Sequence, residues 1–83
     1  MKYRKIGSLH KDTKGSVLRN EQGNQYRVDE VMVVVWKMCD GMTPHDDIIK
    51  DLLTQTEMTE DEVKEGVMDI IARLERFGLI KRV

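Results

Sequence analysis

The stretch DEVMVVVWKMCDG, residues 29–41, limits what this chain can become more than any other. Every residue from Val31 to Trp36 is apolar and four are valine, a composition that favours a β-strand. The flanks favour a helix. Asp29 is a good N-cap, Glu30 suits the positive end of a helix dipole, and Gly41 suits the C′ position after Asp40. Val31, Val34, Val35 and Met38 follow the i, i+3, i+4, i+7 pattern. Caps and spacing together outweigh β-propensity and predict a helix over 30–40. Met32, Val33 and Trp36 fall off that stripe. A helix that is apolar nearly all round needs cover on several sides. The spare face packs beneath a sheet, or it meets a second copy of the chain (a homodimer) or a partner enzyme.

The residues before this helix read as strands and turns. YRKIGSL (3–9), SVLRN (16–20) and QYRVD (25–29) are the strand candidates, separated by HKDTKG and EQGN. Two further helices follow. In MTPHDDIIKDLL, Thr43 is the expected N-cap, Pro44 the first helical residue, and Ile48, Ile49, Leu52 and Leu53 the apolar face. TEDE (59–62) is a capping box opening a longer helix that carries Val63, Val67, Ile70, Ile71, Leu74 and Phe77. Gly78 closes it, with Leu79 placed for a Schellman contact. The expected fold is α+β and winged helix-turn-helix-like: a three-stranded antiparallel sheet followed by three helices, in one domain spanning residues 1–83.

Several chemistries lack their residues. One cysteine, Cys39, sits in the apolar run and reads as a small buried hydrophobe, and a lone thiol fits a reducing compartment. His10 and His45 have no metal-ligand spacing, and the glycines form no phosphate loop. HDD (45–47) is explained by the preference for acids in a first helical turn. The sequence predicts no enzyme, no cofactor and no metal. MKYRKIGS has no apolar signal-peptide core, and no stretch approaches the roughly 20 residues of a membrane span, so the expected location is cytoplasmic with no membrane partner.

Charge is unevenly distributed. Residues 1–28 hold seven Lys/Arg against two Asp/Glu, residues 29–70 three against twelve, and residues 71–83 four against one. This pattern opposes a DNA-binding winged helix, the alternative reading. The helix that would enter the groove begins TEDEVKEG, where carboxylates surround Lys64 and would repel phosphate.

VWKMCDGMTPHDDIIKDL followed by EDEVKEGVMDIIARLERFGLI resembles the coenzyme PQQ synthesis protein D family. The carrying residues are Trp36, Asp40, Gly41, Thr43, Ile48, Leu74, Gly78, Leu79 and Ile80. Val28-Asp29 stands where the family often has Leu-Asn, and both Asn and Asp cap well. The resemblance implies a recognition element of peptide biosynthesis. Such a protein binds the leader of a ribosomal precursor peptide and presents it to a modifying enzyme, commonly a radical SAM protein. The leader would add beside the third strand, in a groove walled by the third helix. On that basis Gln25, Tyr26, Arg27 and Val28 offer the strand edge. Met68 and Ile71, with Lys64 and Glu75 beside them, are the expected wall. Arg19, Arg27, Lys81 and Arg82 favour acidic residues in the leader.

Overall fold

Gly7 divides the front of the chain. It has φ +88°, and a Cβ there would overlap the Arg19 carbonyl oxygen, so only glycine fits. The expected strand 3–9 is therefore two strands, β1 (Lys2–Lys5) and β2 (Ser8–Asp12). The computed structural model describes all residues from Met1 to Val83. The chain continues through β3 (Gly15–Arg19), β4 (Gln25–Val28), α1 (Glu30–Met38), β5 (Asp40–Pro44), α2 (His45–Leu53), α3 (Glu60–Arg76) and β6 (Ile80–Arg82).

The α+β reading holds, with one more sheet than the sequence suggested. One sheet is the expected antiparallel unit, in the order β2-β3-β4. The other, β5-β1-β6, joins the start, middle and end of the chain. The extra strand β5 corrects the expected start of the second helix. Thr43 does not cap it. The Asp40 carboxylate instead accepts the Met42 and Thr43 N–H groups at 2.8 Å each and the Thr43 hydroxyl at 3.1 Å. That local turn outcompetes the helix for Thr43. Pro44 takes the N-cap position, without a side-chain bond, and α2 begins at His45.

The other capping predictions hold except at Gly41. There α1 ends at Met38 with Cys39 as its C-cap, two residues short of the expected helix, and Gly41 (φ +85°) lies within β5, because the chain turns into that strand at Asp40. Asp29 Oδ1 accepts the Met32 N–H at 2.9 Å. Thr59 and Glu62 close a capping box at the start of α3. At its end Gly78 (φ +72°) donates to the Glu75 carbonyl at 3.1 Å and Leu79 to the Leu74 carbonyl at 2.8 Å, a complete Schellman motif.

The face that α1 buries is a correction. Met32, Val33, Val35 and Trp36 are buried, whereas Val31 is 53% and Val34 39% exposed. Met32, Val35, Trp36 and Cys39 also obey i, i+3, i+4, i+7, so spacing could not choose between the two stripes. Trp36 decides. Its indole N–H is shared between the Leu79 carbonyl at 3.0 Å and the Ile6 carbonyl at 3.3 Å, which fixes the larger side chain inward. Trp36 and Val33 therefore both belong to the core. That core also takes Leu18 and Val28 from the first sheet, Tyr3 and Ile80 from the second, and Val63, Val67, Ile71 and Leu74 from α3.

Asn20 is the sole buried polar residue. Its Oδ1 accepts the Gln22 and Asn24 N–H groups at 3.1 and 2.9 Å, shaping the β3–β4 turn, and its Nδ2 donates to the Phe77 carbonyl at 2.8 Å. Replacing Asn20 by Ala should cost about 2 kcal/mol in urea unfolding, because buried partners lose their bonds. Asn20→Asp keeps both acceptor bonds but sets a buried carboxylate oxygen against the Phe77 carbonyl. It should therefore destabilise the fold at neutral pH and recover part of the loss at acid pH, where the protonated carboxyl can donate to that carbonyl.

Candidate functional site

β4 is an edge strand. It pairs with β3 on one side, and its other row of backbone N–H and C=O groups has no strand beside it. Its side chains alternate. Val28 is buried and Tyr26 half-buried, facing the core, while Gln25 and Arg27 are exposed on the outer face. Tyr26 stacks on Phe77, just past the end of α3, with ring centroids 4.2 Å apart and planes within 9°. This stack and the Asn20 bond to the Phe77 carbonyl anchor the end of α3 to the turn and strand of β4.

That contact decides which flank of α3 stands beside β4. The buried stripe of α3 is Val63, Val67, Ile71 and Leu74. At 3.6 residues per turn, Gly66, Ile70 and Phe77 lie on one flank of it, and Lys64, Met68 and Glu75 on the other. Tyr26 meets the first flank. The second faces β6, where Glu75 Oε2 accepts from Arg82 Nε at 3.0 Å. The expected wall of Lys64, Met68, Ile71 and Glu75 is therefore not the one next to β4. Lys64 is exposed and Met68 37% exposed, both on the far side, Glu75 is paired with β6, and Ile71 is 2% exposed within the core. The wheel is nearly symmetrical about the buried stripe, and Phe77 reads as core from its spacing alone. The structure makes it the half-buried platform for Tyr26.

Two residues beyond Val28, α1 opens one side of an apolar groove of about 540 Å³. Val31 and Val34 line it from α1, Gly66 and Ile70 from α3, and Leu52 of α2 and Met58 complete its apolar lining. The exposed valines of α1 thus have a place: they face the same flank of α3 that Tyr26 meets. Sequence reasoning missed Phe77, Ile70 and Gly66. The available signal was the surplus apolar face of α1, which needed cover from somewhere.

The cations of the β-unit are partly committed. Arg27 grips the Asp12 carboxylate with two bonds, 2.8 and 3.2 Å, on the outer face. The Arg27 hydrogen bond is the largest cause that lowers the Asp12 carboxyl to about 2, with the Lys14 N–H adding to it. Arg82 is held by Glu75, so Arg19 and Lys81 remain without an ion-pair partner.

Cys39 lies in the core, with Sγ donating to the Val35 carbonyl at 3.2 Å. Burial, then the charge of Asp40, pushes its thiol up to about 11, so the nucleophilic thiolate is scarce at neutral pH. No three His, Cys, Asp or Glu side chains gather where they could share a metal ion. No helix is long and apolar enough to cross a membrane.

Residues 15–80 match the family profile of coenzyme PQQ synthesis protein D (PqqD). The chain belongs to that family. Within the PqqD match lie β3, β4, all three helices and the groove. A comparison with curated proteins gives no match. Among solved structures, the chain is similar to lasso peptide synthetase B1 complexed with the leader peptide. The TM-score is 0.80, with 13% identity over 98% of this chain and 99% of that one. At that identity the likeness is one of fold.

Two measurements check this description. In a carboxyl NMR titration, Asp12 should show a midpoint near 2, and Arg27→Gln should move it back toward 3.8. The depressed value means that the pair supports the fold above the ordinary carboxylate range and that this support disappears as pH falls toward 2. A thiol-specific reagent at mildly alkaline pH should label native Cys39 at least about a hundred-fold more slowly than the urea-unfolded chain.

Proposed function

We propose that this protein is a non-enzymatic adaptor. It captures the leader of a ribosomally made precursor peptide by adding it as a strand to β4, and presents it to a modifying enzyme. The observation that carries this reading is the unpaired edge of Gln25–Val28 beside the Tyr26–Phe77 stack and an apolar groove. An open edge supplies main-chain hydrogen bonds to any extended peptide, and the neighbouring apolar surface supplies selectivity. Family membership supports the reading, as does the likeness in fold to a synthetase component whose structure holds a leader peptide. The partner enzyme is a radical SAM protein of the kind that works in PQQ synthesis, and the complex forms in the cytoplasm. Lys64, Met68, Ile71 and Glu75 fall outside the contact surface in this reading. Acidic residues of the leader are left with Arg19 and Lys81, because Arg27 already holds Asp12 and Glu75 holds Arg82.

A winged-helix regulator is the competing class. The exposed start of α3 carries Glu60, Asp61, Glu62 and Glu65, which disfavours approach to a phosphate backbone. A backbone amide NMR titration separates the two. One sample receives a peptide encoded beside this chain's own gene, the other a random DNA duplex at low salt. The adaptor predicts saturable shifts at residues 25–28 and at Phe77 with the peptide, and slower amide exchange along β4. Shifts with DNA alone, centred on residues 54–66, would replace the adaptor with the regulator.

A further inference from the structure

The groove between α1 and α3 has a chemistry of its own. Its walls are apolar, and the only charged residues lining it are Glu30 and Glu62. Neither carboxylate has a cationic partner in the protein. Glu62 Oε1 closes the capping box with Thr59, which leaves Oε2 for another donor. No lysine or arginine lines the groove.

Gly66 adds an independent observation. It stands in the middle of α3, where glycine costs about 0.5–1 kcal/mol relative to alanine. Its φ is not positive, and nothing lies within 4 Å of where its Cβ would be. Neither backbone conformation nor crowding inside the protein explains a glycine here. What its missing side chain does is deepen the groove.

We infer that the groove is a subsite for a large apolar residue adjacent to a lysine or arginine, carried by the same peptide where it runs past the Val28 end of β4. The inference rests on strand addition at β4 and extends it. Glu30 follows Val28 by two residues and already lines the groove, so a peptide leaving the edge at that end passes directly over it. The apolar side chain fills the space above Gly66 between Val34 and Ile70. The neighbouring cation reaches the Glu30 and Glu62 carboxylates at the rim. The bound peptide is therefore basic where it crosses the groove, and any acidic residues lie toward Arg19 at the other end of β4.

The test is a selection from a library of random short peptides against the full chain, repeated with Glu30→Gln/Glu62→Gln and with Gly66→Leu. Gln at position 62 retains the capping box, so the double variant keeps its fold. The expected winners combine an alternating strand segment with an apolar–basic pair at one end. The charge preference should vanish with Glu30→Gln/Glu62→Gln. Affinity for one selected peptide should fall about five-fold at low salt and less at high salt. Gly66→Leu should remove the apolar preference while urea unfolding stays cooperative.

N-methylating alternate residues of the strand segment tests the edge separately. Winners that need the edge but show no apolar–basic pair, or an acidic one, overturn the groove assignment and leave strand addition standing. Winners with the pair that tolerate N-methylation overturn strand addition and keep the groove. No enrichment at all overturns both. A concentration-dependent dimer in sedimentation, abolished by Gly66→Leu, would give the groove to a second copy of the chain and overturn the peptide assignment.

Discussion

The carbonyl oxygen of Leu79 holds this fold together. It accepts the backbone N–H of Ile6 at 2.8 Å and the indole N–H of Trp36 at 3.0 Å. The N–H of the same residue ends α3 through the Schellman bond to Leu74, and its side chain is fully buried. One residue thus ties the junction of β1 and β2, the last turn of α1 and the end of α3. The face that α1 turns inward follows from the Trp36 bond. The face it turns outward follows as well, and so do the exposed valines that make the groove. A structural hydrogen bond in the core sets the chemistry of the surface.

An unpaired strand edge is a liability in any protein, because it pairs with whatever strand it meets. Here β4 is only four residues long, and the Arg27–Asp12 pair keeps its outer face polar. Its inner row is covered by Phe77 and the core. The edge is thus open in backbone but restricted in reach. An extended partner gains few main-chain bonds from it and must find the rest of its affinity next to it, which is where the groove lies.

Most of the local grammar of this chain was legible in its sequence, the Thr43 cap and the Gly41 stop excepted. Asp29, the Thr59–Glu62 box and the Gly78–Leu79 stop each work through neighbours within one or two turns, and each was found where expected. The sheet β5-β1-β6 was not legible, because its pairings join residues far apart in sequence and its strands are only three to five residues long. The faces of α1 and α3 were hidden for another reason. An all-apolar helix satisfies two stripes at once, and a wheel is symmetrical about its core, so neither pattern says which flank meets which neighbour. Only tertiary contacts do: Trp36 to Leu79, and Tyr26 to Phe77. The strand half of the candidate site could be read along the chain, whereas the helical half depended on packing.

The stack of Tyr26 on Phe77 also has a kinetic side. Strands β2, β3 and β4 follow one another through short turns, so their pairing closes small loops and can form early. Phe77 lies three helices further along the chain than Tyr26, so their stack closes a far longer loop. A chain that paired β2, β3 and β4 before docking α3 would carry the edge without its apolar wall. A partner that needs both surfaces distinguishes finished molecules from unfinished ones, and unfinished chains that expose β4 offer it only a weak, unselective strand.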